Sequence, residues 1–161
     1  MSARRTGERI AGLVYGTIVV MGVIAASSEG LESDTARIAG LVVATSVVFW
    51  LAHVYAHALE LSVSRGERLT AAAIKEVAVH QASILSAAVL PTTALLLGAF
   101  DLVGDRAAVW LALAAGTTAL AAQALAYARI EKLSPFGTAT LVITNLVLGL
   151  AIVGLKAFVS H

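Results

Sequence analysis

The chain has no cysteine and few charged, aromatic or proline residues. Of its 161 residues, 13% are charged, 6% are aromatic and 2 are proline. The lack of cysteine excludes disulfides, iron–sulfur clusters and zinc sites with thiolate ligands. A net charge of +1 also argues against a nucleic-acid partner. Because soluble domains carry about 25% charged residues, the deficit of charge points away from water as the main solvent.

Apolar side chains dominate instead, at 59% of the sequence and a mean hydropathy of +0.90. They form runs of Ala, Leu, Val and Ile without period-two alternation. Only helices or a closed barrel satisfy all backbone polar groups in lipid, and unalternated runs of about 20 residues favour helices. We therefore predict an all-α, polytopic membrane protein, a single domain over residues 1–161. Its five predicted spans lie near Ile10–Ser27, Ile38–Leu59, Ala78–Phe100, Ala107–Ala128 and Thr138–Val159.

The basic residues predict the direction of the spans. One side of the predicted bundle receives Arg4, Arg5, Arg9, Arg65, Arg68, Lys75, Arg129 and Lys132. The other side receives Arg37, Arg106 and Lys156, together with the acidic loop that carries Glu29, Glu32 and Asp34. By the positive-inside rule, we expect a cytoplasmic N-terminus and an outward C-terminus in the cell membrane.

The start of the chain has a second interpretation. Arg4 and Arg5, followed by an apolar run that ends Ala25-Ala26-Ser27, are also typical of a cleavable signal peptide. The length of the run and the small-xxx-small pair Gly12 and Gly16, which lets membrane helices approach closely, favour a retained first span.

Two other local signals predict how the helices are shaped and packed. Thr70 is a suitable N-cap for a third helix that extends to Phe100, and Pro91 within it predicts a kink because proline cannot donate to the carbonyl of Ala87. Thr92 or Thr93 is expected to help satisfy the freed groups. The alanine-rich fourth span around Gly116 is typical of a tightly packed central helix.

Most ionisable groups at membrane depth lie in two helices. The second span has polar residues three or four positions apart, which predicts one polar face: Ser46, Trp50, His53, His57 and Glu60. The third helix has a similar stripe of Glu76, His80 and Ser83. We expect both stripes at the cytoplasmic level, with His53 the deepest histidine, neutral, and hydrogen-bonded to Tyr15 or to a backbone carbonyl.

Three interpretations of this group remain open. His53, His57, Glu60, Glu76 and His80 form a tentative site for a divalent metal such as zinc, iron or manganese. They also suit a proton relay, because a free imidazole changes its charge at about pH 6.5. The third interpretation treats them as interfacial polar residues. Other membrane-depth polar residues are expected to act as interhelical contacts: Tyr15, Thr17, Gln123 and Asn145.

Three segments together resemble the transmembrane protein 175 potassium-channel family. They are Arg9-Ile-Ala-Gly-Leu-Val-Tyr-Gly16, Phe49-Trp50-Leu-Ala-His53 and the run that begins Leu90-Pro91-Thr92-Thr93. The family has Phe, Ser and Asp where this chain has Leu13, Val14 and Tyr15. The resemblance implies an oligomer whose first helix lines a pore, with a packing network of Arg9, Tyr15, Gly16, Trp50 and His53. The chain is similar, to a lesser degree, to the vacuolar iron transporter family in helix number and orientation.

The sequence therefore favours an oligomeric cation or proton channel or transporter, with the lipid bilayer, a monovalent cation or proton and further copies of itself as partners. A structural or accessory subunit without transport is the main alternative. A metal-dependent membrane hydroxylase or desaturase is a third possibility, but the chain has only 4 histidines. The chain lacks a phosphate loop, nucleophile elbow and haem motif, so we expect no enzyme activity and no cofactor besides a possible metal. We expect His53→Leu to damage assembly or activity and His161→Ala to be silent.

Overall fold

The computed structural model describes residues 2–27, 34–65 and 70–159, and within them the chain forms helices and no strand. The helices are α1 (Ser2–Ser27), α2 (Thr35–Arg65), α3 (Ala71–His80), α4 (Ser83–Ala87), α5 (Val89–Ala99), α6 (Asp105–Ile130) and α7 (Pro135–Val159). The predicted all-α class is confirmed. Glu29, Glu32, Arg68 and His161 lie outside the described residues.

Membrane-spanning length and apolarity are found in four single helices, namely α1, α2, α6 and α7. The segment Ala71–Ala87 and the helix Val89–Ala99 pass the same test only as a pair, and they are bent by 45° relative to each other. The described residues therefore contain four helices able to cross a bilayer, or five if the bent pair is one span. The four single helices match four of the predicted spans, and the bent pair falls on the predicted third span.

The helix of the predicted third span begins as predicted but is interrupted twice. Thr70 caps α3, with its hydroxyl accepting a hydrogen bond from the Ala73 amide at 3.2 Å. The helix then breaks at Gln81 and Ala82, which the sequence did not predict, and again at Ala88. The second break lies three residues before Pro91, where the proline ring disfavours a regular turn.

The predicted role of the two threonines after Pro91 is not what the structure shows. Thr93 Oγ1 donates to the carbonyl of Val89, at 2.8 Å, in its own helix. Thr92 Oγ1 is buried and, within the described residues, has no hydrogen-bond partner. Neither hydroxyl bonds the Ala87 carbonyl. Thr93 instead donates to the carbonyl four residues before it, which is the usual partner of a threonine in a helix.

Glycines set the closest helix contacts. A Cβ on Gly16 would lie 2.9 Å from both Ala87 Cβ and the Ile84 carbonyl oxygen, and one on Gly12 would collide with Ser83 Oγ. Helix α4 thus rests directly on the Gly12 and Gly16 face of α1, and the predicted close approach at this pair is confirmed.

The core lies between α1, α2, α5 and α6. Fully buried side chains include Met21 and Ile24 from α1, Ile38 from α2, Leu95 from α5 and Leu113 from α6. Gly116 makes room for Met21, whose Cγ would lie 2.6 Å from an added Cβ. Because α6 packs against α1, α5 and α7, its predicted central position is confirmed.

Candidate functional site around His53

His53 is half-buried on α2, about 18 Å from the helix end at Arg65 by the rise of 1.5 Å per residue. Its Nδ1 lies 2.9 Å from the carbonyl oxygen of Phe49. A carbonyl oxygen only accepts, so this contact requires the hydrogen on Nδ1. In the neutral ring, Nε2 then carries the free lone pair, so it is the nitrogen that can accept a proton or a hydrogen bond. The predicted bond to a backbone carbonyl is confirmed.

The aromatic ring of Tyr15 lies beside this imidazole. The ring centres of Tyr15 and His53 are 5.0 Å apart, with planes tilted by 50°. Tyr15 also lies 6.0 Å from the ring of Phe49. Tyr15 is 40% exposed, so the face formed by Tyr15, Phe49 and His53 lies at the surface of the bundle rather than at its centre.

Trp50 faces a different neighbour. Its indole Nε1 donates to the Ala78 carbonyl oxygen at 3.0 Å, which ties α2 to α3. Arg9 is exposed on α1, and Gly16 contacts α4 rather than the aromatic face. Among the described residues, a ring contact joins Tyr15 to His53, and no hydrogen bond or ring contact joins Arg9 or Trp50 to that pair. The network implied by the family resemblance is therefore present only in part.

The predicted polar face of α2 becomes more exposed along the helix, from its buried middle to its C-terminal end. Ser46 is buried and His53 half-buried, whereas His57 and Glu60 are exposed and pair with each other at 3.3 Å. The stripe repeats every 3.5 residues on average, while a straight helix repeats every 3.6, so it drifts by about 20° per heptad. The buried face instead continues through Val54 and Ala58.

The second stripe is also divided. Glu76 and His80 are exposed on α3, whereas Ser83 is buried on α4 after the break at Gln81 and Ala82. In the part of the chain that the structure describes, no three His, Asp or Glu side chains are grouped so that they could hold a metal ion. His53, His57, Glu60, Glu76 and His80 are thus not brought together as one metal centre within a chain.

Two polar contacts link helices deeper in the bundle. Gln123 Nε2 donates to Thr17 Oγ1 at 3.1 Å, which confirms the predicted interhelical role of this pair. Thr35 Oγ1 donates to Asp105 Oδ1 at 2.8 Å and joins the first turns of α2 and α6. The second contact was not predicted, because neither residue has a motif that pairs distant helix ends.

A cavity of about 310 Å³ lies between α2 and the break before α5. Its walls include Ser46, Val47, Ala88 and Thr92. The hydroxyl of Ser46 donates to the Val42 carbonyl, at 2.7 Å, whereas the hydroxyl of Thr92 has no hydrogen-bond partner within the described residues.

No protein-family model matches the chain, and no curated protein and no solved structure matches it.

Proposed function

We propose that the chain is an integral membrane protein with five spans. Several copies of it form a homo-oligomer that conducts protons or monovalent cations. The N-terminus lies in the cytoplasm and the C-terminus outside, as the distribution of basic residues supports. In this arrangement α3, α4 and α5 together form the third span, which bends between α4 and α5.

The geometry of His53 carries the proposal. Ionisable groups in a bilayer are costly, so those that persist mark ion or proton pathways. Phe49 fixes the hydrogen on Nδ1, which leaves Nε2 as the basic atom. Tyr15 covers one side of the ring.

The conduction path runs between copies rather than through one chain. Within the described residues, the core between α1, α2, α5 and α6 is filled by apolar side chains such as Met21, Ile24 and Leu113, all fully buried. Tyr15, by contrast, is exposed beside His53. A phenol in lipid lacks a hydrogen-bond partner, so this surface is better satisfied against a second copy and water.

The resemblance to the transmembrane protein 175 family supports the same assignment, since it places the first helix at an oligomer axis. This chain has Tyr15 where that family has an aspartate, and a neutral phenol lacks the charge of a carboxylate. Potassium selectivity is therefore not part of the proposal.

The test is ion flux into liposomes that contain the purified wild-type chain. Proton-, sodium- and potassium-sensitive dyes are compared between these vesicles and empty ones under an imposed gradient of each ion. Flux of at least one ion, together with a homo-oligomer in native mass spectrometry, supports the proposal. Absence of flux for all three ions at several pH values contradicts it and favours an accessory subunit.

A further inference from the structure

Two buried amide oxygens lack partners near the junction of α1, α6 and α7. Asn145 is 7% exposed, and its Oδ1 has no hydrogen-bond partner among the described residues. Gln123 Oε1 is also buried and has no hydrogen-bond partner among these residues. Leaving a buried acceptor unpaired costs about 1–3 kcal/mol. These oxygens therefore point to a donor that is not a protein side chain.

The two amides lie at the same level of the bundle. An added Cβ on Gly149 would lie 3.1 Å from Thr117 and 3.4 Å from Leu120, which sets the register of α7 on α6. Only residues 131–134 connect these helices, so they run antiparallel. Asn145 precedes Gly149 by one turn, which places it beside residues 121–124 of α6, where Gln123 lies.

The nitrogen of each amide is already engaged elsewhere. Gln123 Nε2 donates to Thr17 Oγ1 at 3.1 Å, and Asn145 Nδ2 donates to the Leu141 carbonyl oxygen at 3.0 Å. Thr17 is fully buried, and its hydroxyl donates a hydrogen bond to the Leu13 carbonyl oxygen at 2.8 Å. The amide orientations are thus set by these bonds, and both free oxygens are acceptors.

The chemistry of the site favours a neutral donor. No Asp, Glu, Lys or Arg occurs between Ile10 and Ser27, between Ala107 and Ala128 or between Pro135 and Leu155. A dehydrated cation needs more oxygens than two and a compensating charge. A water molecule has two hydrogens for two acceptors, and buried waters in proteins typically satisfy such groups.

We propose that the junction of α1, α6 and α7 binds one buried water molecule, which donates its hydrogens to Gln123 Oε1 and Asn145 Oδ1. This water anchors α7, in whose apolar segment only 11% is buried inside the bundle, against 39% for α6. The site is independent of any transport activity, because it depends only on the packing of one chain.

A double-mutant cycle tests the anchor. Gln123→Met, Asn145→Leu and the double variant are unfolded in SDS, with Thr118→Val as control because its exposed hydroxyl donates only within α6, to Ala114. Each single change is expected to lower the folding constant by roughly three- to tenfold. The folding constant of the double variant is expected to lie no more than about twofold below that of the less stable single variant. Independent, multiplied effects would overturn the proposal.

A structure at a resolution that shows ordered water separates the bridge from a direct amide contact. The wild type is expected to show a water peak about 2.7–3.2 Å from both oxygens, and Asn145→Leu to lose it. Direct bonding between the two amides would overturn the proposal, and so would a dry junction in a map with waters resolved elsewhere.

Discussion

Trp50 Nε1 lies 3.0 Å from the carbonyl oxygen of Ala78 and donates a hydrogen bond to it. This bond joins α2 to α3 just before the break at Gln81 and Ala82. We expect Trp50→Phe to lower the free energy of unfolding by about 0.6–1.7 kcal/mol, the range for hydrogen bonds in membrane bundles. Unfolding in SDS measures the loss. Trp110→Phe on the exposed side of α6 is the control, and equal losses at the two positions would contradict the assigned bond.

The contact of α1 with α4 depends on Gly16. A methyl group there meets Ala87 Cβ and the Ile84 carbonyl oxygen at 2.9 Å, and backbone does not move aside easily. We expect Gly16→Ala to lower the free energy of unfolding by about 1–3 kcal/mol through overpacking. Gly22→Ala, in the same helix with nothing within 4 Å of its added Cβ, is expected to be neutral or stabilising. A similar loss at both glycines would contradict the packing.

Two helix ends hold non-glycine residues in the left-handed region. Asp101 after α5 has φ 56° and Lys132 after α6 has φ 51°. The amides of Leu102 and Leu133 donate to Leu97 and Ala128, as in a helix ended by a left-handed residue. We expect Asp101→Gly and Lys132→Gly to raise the free energy of unfolding by about 1 kcal/mol each. Asp101→Ala keeps the Cβ and should give no gain; a gain equal to that of glycine would contradict the strain.

Cysteine labelling distinguishes five spans from four, since the chain has 0 native cysteines. In the proposed arrangement Thr70→Cys and Leu133→Cys face the cytoplasm and Leu102→Cys faces outward. An impermeant maleimide added to intact cells is therefore expected to label only the cysteine at 102. If the bent pair re-enters on one side, positions 70 and 102 will label alike and position 133 will differ from them.

Composition and local signals predicted the helices well. Apolar runs gave the positions of the long helices, Thr70 gave the start of α3, and Gly12 with Gly16 gave the contact with α4. These predictions succeed because each depends on a few adjacent residues. The break at Gln81 and Ala82 has no proline or glycine to announce it, so the sequence predicted a continuous helix.

The candidate site was harder to predict. Periodicity places side chains on one face of one helix, but it does not fix how two helices rotate against each other. His57 and Glu60 therefore turned outward as the stripe on α2 drifted, and Glu76 did not join them. The carbonyl partner of His53 was predictable because it lies one turn away on the same helix. The partner of Trp50 required the packing of α3 on α2.

Proton flux through His53 variants tests the central claim most directly. His53→Gln keeps a donor for the Phe49 carbonyl but provides no basic nitrogen, so the fold is retained while proton uptake is lost. Proteoliposomes with equal amounts of folded wild type, His53→Gln and the control His161→Ala are given the same pH gradient. We predict that the wild type and His161→Ala conduct protons and that His53→Gln falls to the rate of empty vesicles. Equal proton flux in His53→Gln and the wild type would contradict the account.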